Sequence, residues 1–260
     1  MSLHHFFLED QVIAQESEAE FPLRLSADDL KHARVLRLAP GEHIAVVDAA
    51  SDFFECELVS CGPDGIIGRI AAKLDAPERP QVVLVQGIAK GEKMDQVVRH
   101  ATELGIAGIV PLSCERSIVK LDAKKAASRV QRWSAIAKSA AMQAGLTAVP
   151  EVSRPLSVRE AAEMLTGATA VLVFWEEAPL TAKIAPALSS ALAACDCLDA
   201  KDARIAVVVG PEGGLSAREV EQFRAACPRT YPVTLGPSIL RTETAGIVAP
   251  ALVLYELEGR

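Results

Sequence analysis

Two hydrophobic rhythms divide the sequence. In residues 1–75 short apolar runs at Ile44–Val47, Phe53–Val59 and Ile66–Ile70 lie between turn signals at Pro40-Gly41, Gly62-Pro63 and Asp64-Gly65. That pattern predicts β-strands, and a small barrel buries several short strands without leaving edges. One helix fits between Ser26 and Leu38, with Ser26 as N-cap and Asp28-Asp29 in its first turn. Ala76-Pro77-Glu78-Arg79-Pro80 then reads as a linker, because neither a strand nor a helix continues through both prolines.

From Gln81 the rhythm becomes strand, helix, strand. Apolar runs at Val82–Val85, Ile106–Pro111, Ala170–Phe174, Ile205–Val209 and Tyr231–Leu235 alternate with helical patterns. Helices are predicted near Lys93–Leu104, Lys124–Gln143, Ser157–Leu165, Thr181–Ala194, Ser216–Ala226 and Glu243–Glu256. Continuous Val/Ile runs without alternation suit strands buried on both faces of a parallel sheet. Residues 76–260 are therefore expected to form an α/β domain, with ligands at the carboxyl ends of its strands.

Charge refines the division. The chain carries a formal −7, which excludes a uniformly basic nucleic-acid binder. Residues 1–74 account for all of it, while 79–138 carry +6, including Lys90, Lys93, Arg116 and Arg132. Such a stretch is either a polyanion face or a set of solvated helix faces. The opening residues show no secretory pattern, and no apolar run approaches the ~18 residues of a membrane span, so a cytoplasmic protein is expected. Six cysteines without a CxxC pair and five histidines without HExxH give no expectation of a metal.

Chemistry concentrates in loops after the later strands. Gly210-Pro211-Glu212-Gly213-Gly214 separates a strand from Ser216-Ala217-Arg218-Glu219, whose spacing predicts a capping box. Glycines there let main chain approach a ligand, or simply make a tight turn. The segment matches neither the P-loop nor the dinucleotide fingerprint. Leu235-Gly236-Pro237-Ser238-Ile239-Leu240-Arg241-Thr242-Glu243-Thr244 occupies the next strand end, where Thr242 or Thr244 can cap a helix. Trp175-Glu176-Glu177 follows a third strand, either in a site or as a core ring beside solvated acids. Pro250 should kink the last helix without breaking it.

Gly210-Pro211-Glu212-Gly213-Gly214, Leu235-Gly236 and Ile239-Leu240-Arg241-Thr242-Glu243-Thr244-Ala245 resemble the signature of the RsmE family, SPOUT-class methyltransferases acting on uridine N3 in 16S ribosomal RNA. Lys90-Gly91 with Lys93-Met94-Asp95, Ala101–Gly105, Arg132-Trp133 and, near the start, His32 with Val35-Leu36-Arg37 fit as well. The family usually has arginine where Ser238 stands and a more charged helix around Ser139, Met142, Leu146 and Ala148.

The resemblance implies a PUA-like β-barrel (1–75), then a SPOUT domain (76–260) with a trefoil knot, working as a homodimer. It implies S-adenosylmethionine held by Phe174, Trp175, Glu176, Val209, Gly210, Pro211, Glu212, Gly213, Gly214, Leu235, Gly236, Ser238, Ile239 and Leu240. Arg241 is then expected near the uracil carbonyls, lowering the pKa of the imide, with Glu243 as a base or as the partner of Arg241. Arg24, Arg34, Arg37, Lys90, Lys93, Arg116 and Arg132 are candidates for RNA phosphates. The alternatives are another SPOUT target, such as ribose 2′-O or a guanine ring nitrogen, a catalytically silent RNA-binding assembly factor, or a small-molecule α/β enzyme.

Overall fold

The computed structural model describes residues 3–62 and 65–259, so the turn expected at Pro63-Asp64 lies outside them. The chain forms two compact units, one of residues 1–77 with 141–148, the other of 78–140 with 149–260.

The first unit is a mixed sheet built from β1 (His4–Phe7), β2 (Phe21–Leu23), β3 (His43–Val47), β4 (Phe53–Gly62) and β5 (Gly65–Leu74), in the order β1-β3-β4-β5-β2. The short edge strands β1 and β2 carry too few residues to be seen as periodic patterns. Among the described residues no ladder joins the edge strands β1 and β2. Side chains finish that edge instead. The buried Gln11 amide donates to Pro22 O and accepts from Arg24 N, each at 2.8 Å, satisfying main chain that a sixth strand would otherwise pair. Asp48 likewise takes the N–H groups of Ile13, Ala50 and Asp52.

Helix α1 (Ala27–Val35) starts as its sequence dictates, with Ser26 Oγ accepting from Asp29 N. It ends through Arg37, which adopts φ 57° and lets Leu38 N reach Ala33 O at 3.2 Å.

Residues 141–148 join this unit although they follow the α/β pattern in sequence. His5 links them: its ring packs against Phe53, with centroids 5.6 Å apart, and bonds the main chain of Leu146. Burial lowers the proton affinity of His5 and outweighs that bond.

The second unit is a parallel sheet of β6 (Gln81–Gly87), β7 (Gly108–Ser113), β8 (Glu151–Val152), β9 (Leu156–Ser157), β10 (Ala170–Phe174), β11 (Arg204–Val209) and β12 (Thr230–Val233). The order is β12-β10-β11-β6-β7-β8, with β9 also on β7. Helices α2 (Lys93–Glu103), α3 (Ala123–Ala144), α5 (Ile184–Ala194) and α7 (Thr242–Glu258) contribute to the core on one face. Helices α4 (Val158–Met164) and α6 (Ala217–Ala226) cover the other. Leu172 and Val207 enter the first core, Val173 and Val208 the second, which is why those strands read as unbroken apolar runs. Helix α5 starts three residues later than Thr181, after the turn in which Ala182 N bonds Pro179 O. Helix α7 runs unbroken through Pro250.

Candidate active site

Strand register brings the loops together. Phe174 is level with both Val209 and Val233, and Val209 with Gln86, so four parallel strands end at one height. β12 lies outside β10, yet α7 returns to pack on β6 and β11. The connecting segment 234–241 therefore meets the 210–215 loop across the strand ends, and between them lies a cleft of about 700 Å³.

All fourteen residues expected to hold the cofactor line this cleft, as does Arg241. The sequence reading missed Leu180, Thr234 and Ala245 among the others, and it assigns Lys93 to RNA phosphates rather than to the cleft. The 210–215 loop can sit on β6 only because residue 87 is glycine: a Cβ there would strike the nitrogen of Pro211. Gly214 takes φ +70°, and a Cβ on it would meet the Glu176 carboxylate. Trp175 fastens the far side of the loop, its indole donating to Leu215 O at 3.0 Å while its main-chain N donates to Val233 O. Ser216 and Glu219 form the predicted capping box, and the buried Glu219 also accepts from Glu115 N at 2.8 Å.

Neither threonine caps α7, whose N-cap is Arg241 with no side-chain bond. Thr242 instead donates to Gly210 O at 2.6 Å and accepts from the buried Gln86 amide at 2.9 Å. Thr242 is the first residue of the helix rather than its cap, and its hydroxyl serves a long-range carbonyl.

The expected role of Glu243 changes. It does not line the cleft, and its partner is Lys93 rather than Arg241, with Lys93 Nζ 3.1 Å from Glu243 and 3.3 Å from Glu212. Burial presses the Glu243 carboxyl upward, but its own main-chain N–H, Lys93 and Arg241 together hold it below the usual glutamate range. Glu212 behaves alike: burial raises it, while the N–H of Lys90, its own N–H and Lys93 bring it below normal. Bonds to Glu243 first and Glu212 next outweigh desolvation and raise the proton affinity of Lys93. These are ionised partners, unsuited to accepting a proton near neutrality. The guanidinium of Arg241 has no recorded hydrogen-bond or ion-pair partner among the described residues.

The RNA candidates separate. Lys93 is committed to two acids, and Arg132 donates Nε and Nη2 to one oxygen, Oδ2, of the buried Asp95 at 2.9 and 2.7 Å, while Trp133 Nε1 donates to the other, Oδ1. Both cations are consumed by neighbouring carboxylates, a pairing invisible at their sequence separation. Arg116 leans on the 210–215 loop, its Nη1 3.3 Å from Gly213 O. The Lys90 side chain is exposed while its main chain holds Glu212. In the first unit Arg24 makes only a loose 3.8 Å contact with Glu16, and Arg34 and Arg37 are exposed at the end of α1.

Comparison with known proteins agrees with this architecture. Residues 77–254 match the RNA methyltransferase domain family and 25–71 the RNA methyltransferase PUA domain. Ribosomal RNA small subunit methyltransferase E of Bacillus subtilis (strain 168) is 31% identical over 98% of both chains. The protein of that name from Mycobacterium tuberculosis (strain CDC 1551 / Oshkosh) is 31% identical over 84% of this chain and 79% of its own. The Neisseria gonorrhoeae protein of the same name, solved bound to S-adenosyl methionine, superposes with TM-score 0.76 at 27% identity over 96% of each chain. A Legionella pneumophila methyltransferase described as putative and complexed with the same cofactor gives 0.73 at 26% identity over 97% of each. With a PUA-like sheet followed by a parallel α/β unit, and matches that run nearly end to end, the chain belongs to the ribosomal RNA small subunit methyltransferase E family.

Proposed function

We propose that this chain methylates N3 of a specific uridine in 16S ribosomal RNA, with Arg241 facing the reacting base. As a member of its family it is an S-adenosylmethionine-dependent rRNA methyltransferase. The choice of uridine N3 follows from the sequence resemblance. The observation that carries the reading is an exposed arginine on the cleft, without a hydrogen-bond or ion-pair partner among the described residues, whereas the cleft's other cation, Lys93, is paired with two carboxylates.

The cleft fits the cofactor. Its volume lies in the range of small-molecule sites. Phe174, Val209, Leu235 and Leu240 offer apolar walls, and Glu176 and Glu212 supply negative charge suited to a cationic ligand. When bound, S-adenosylmethionine supplies an activated methyl group on a positively charged sulfur. Gly213 and Gly214 expose main chain to it, while Trp175 keeps the loop in place.

The protein's part at the uracil is electrostatic. N3 is a weakly acidic imide and becomes nucleophilic once its proton leaves. A guanidinium held against the flanking carbonyls stabilises the anion and lowers the pKa of that position. Glu243, ionised and held by Lys93, keeps its charge and is not the proton acceptor in this reading. Arg34 and Arg37, with Arg24 and Lys90, contact phosphates of the small-subunit RNA.

The reading includes a homodimer, a trefoil knot and a cytoplasmic location. Leu252 and Tyr255, exposed on α7, support the first, and the return of α7 to β6 and β11 supports the second. Among the described residues no helix is long and apolar enough to cross a membrane.

The test is nucleoside mass spectrometry of 16S RNA and small subunits from a deletion strain, treated with protein and labelled cofactor. 3-Methyluridine is expected. A 2′-O-methylated nucleoside or a methylguanosine would reassign the target. Cofactor binding without any product would make the chain an assembly factor. Equal single-turnover rates for Arg241→Ala and wild type at saturating RNA would remove the role of Arg241.

A further inference from the structure

We propose that Lys93 is a positioning residue whose task is to keep Arg241 available, by occupying the Glu243 carboxylate, which would otherwise capture it. The inference rests on the reading of Arg241 given above.

Lys93 opens α2, and its ammonium lies between Glu212 of the 210–215 loop and Glu243 in the first turn of α7. Arg241 is the N-cap of the same helix, two residues before Glu243, and its charge is already felt by that carboxylate. Arginine pairs more strongly with a carboxylate than lysine does, through two parallel N–H bonds. An unclaimed Glu243 would thus draw the guanidinium onto itself, away from a substrate anion. Two acids facing each other without a cation would also repel. Lys93 removes both problems with one charge. Glu212 keeps a second hold through the N–H of Lys90 at 3.0 Å, and Thr242 still ties α7 to Gly210, so the loops do not depend on Lys93 for their place. The side chain is two-thirds shielded, as expected for an internal counter-charge rather than a phosphate contact.

The experiment is a mutant cycle between Lys93→Met and Glu243→Gln, read by single-turnover methylation at saturating RNA and cofactor. Lys93→Met is expected to lose at least ~10-fold in rate, with cofactor Kd changed less than ~3-fold; the double variant Lys93→Met/Glu243→Gln is expected to recover most of it, because a neutral amide does not capture arginine. A double variant as slow as Lys93→Met, or slower, overturns the proposal, as does an unimpaired single variant. A loss that appears only in RNA affinity, with a salt slope reduced by about one, makes Lys93 a phosphate contact instead. Should Lys93→Met fail to fold, Lys93→Gln with and without Glu243→Gln is measured in the same way. An Arg241→Ala rate equal to wild type identifies failure of the underlying reading; a slow Arg241→Ala with an unimpaired Lys93→Met identifies failure of this one.

Discussion

Thr242 and Gly210 lie 32 residues apart, and a 2.6 Å hydrogen bond from the threonine hydroxyl to the glycine carbonyl joins the two loops of the cleft. The same hydroxyl accepts from Gln86, so one side chain fixes the end of β6, the 210–215 loop and the start of α7. Exchanging it for the nearly isosteric Thr242→Val removes the donor to the half-buried Gly210 O and one of the two acceptors of the buried Gln86 amide, which keeps Gly87 O. The expected cost is about 2 kcal/mol in urea denaturation, with weaker cofactor binding by calorimetry. Thr242→Ser keeps the hydroxyl and should lie near wild type. Equal stability of Thr242→Val and wild type would show that the bond is not formed in solution.

Gly87 tests how closely the glycine loop must approach β6. A methyl at this position has no room beside Pro211, so Gly87→Ala must push the loop outward. The fold should survive with about 1–3 kcal/mol less stability, the usual cost of overpacking. Cofactor Kd should rise by at least ~10-fold, equivalent to about 1.4 kcal/mol. An unchanged Kd would mean that the loop position does not set the site.

Much of this arrangement is legible without coordinates. The Val/Ile runs give the central strands because both of their faces are buried, and Ser216 with Glu219 marks the start of α6 by local chemistry alone. Glycine and proline in the strand-end loops mark the cleft for the same reason. What the pattern hides is every effect of a single polar residue acting at long range. Gln86 sits inside an apolar strand and gives no periodic signal, yet it anchors Thr242. Gln11 satisfies main chain at Pro22 and Arg24 from outside the strand, again with no periodic signal. Lys93 and Arg132 look like surface bases until Glu243 and Asp95 are found beside them. Residues 141–148 group with the first unit, where Leu146 bonds His5 from more than 130 residues away.

The capping box at α4 makes a pH prediction with a defined sign. Glu160 accepts from the N–H and hydroxyl of Ser157 and from Arg154, in that order of influence, which lowers its pKa from 4.5 to about 2. A carboxyl depressed by folding stabilises the native state above its unfolded value and loses that contribution as pH falls through the folded value. The stability gap between wild type and Glu160→Gln should therefore be full at pH 6, shrink below about 4.5, and close near about 2. Urea denaturation across that window checks it. A gap that does not vary with pH would show the box to be frayed in solution.

Arg37 separates stability from RNA binding. It holds the left-handed position after α1, φ 57°, where glycine is the usual occupant and any side chain carries a steric penalty. Its exposed guanidinium is one of the proposed phosphate contacts. Arg37→Gly is expected to stabilise the protein by about 1 kcal/mol while weakening RNA binding and lowering the salt slope by about one. Arg132→Ala should do the reverse: with Asp95 Oδ2 deprived of its two guanidinium bonds the melting temperature falls, whereas the salt slope stays as it is. Melting curves and a salt titration of RNA affinity on both variants decide the matter. If Arg37→Gly is stabilised with an unchanged slope, the RNA phosphates lie on another face of the first unit; if Arg132→Ala lowers the slope, the α3 surface belongs to the interface after all.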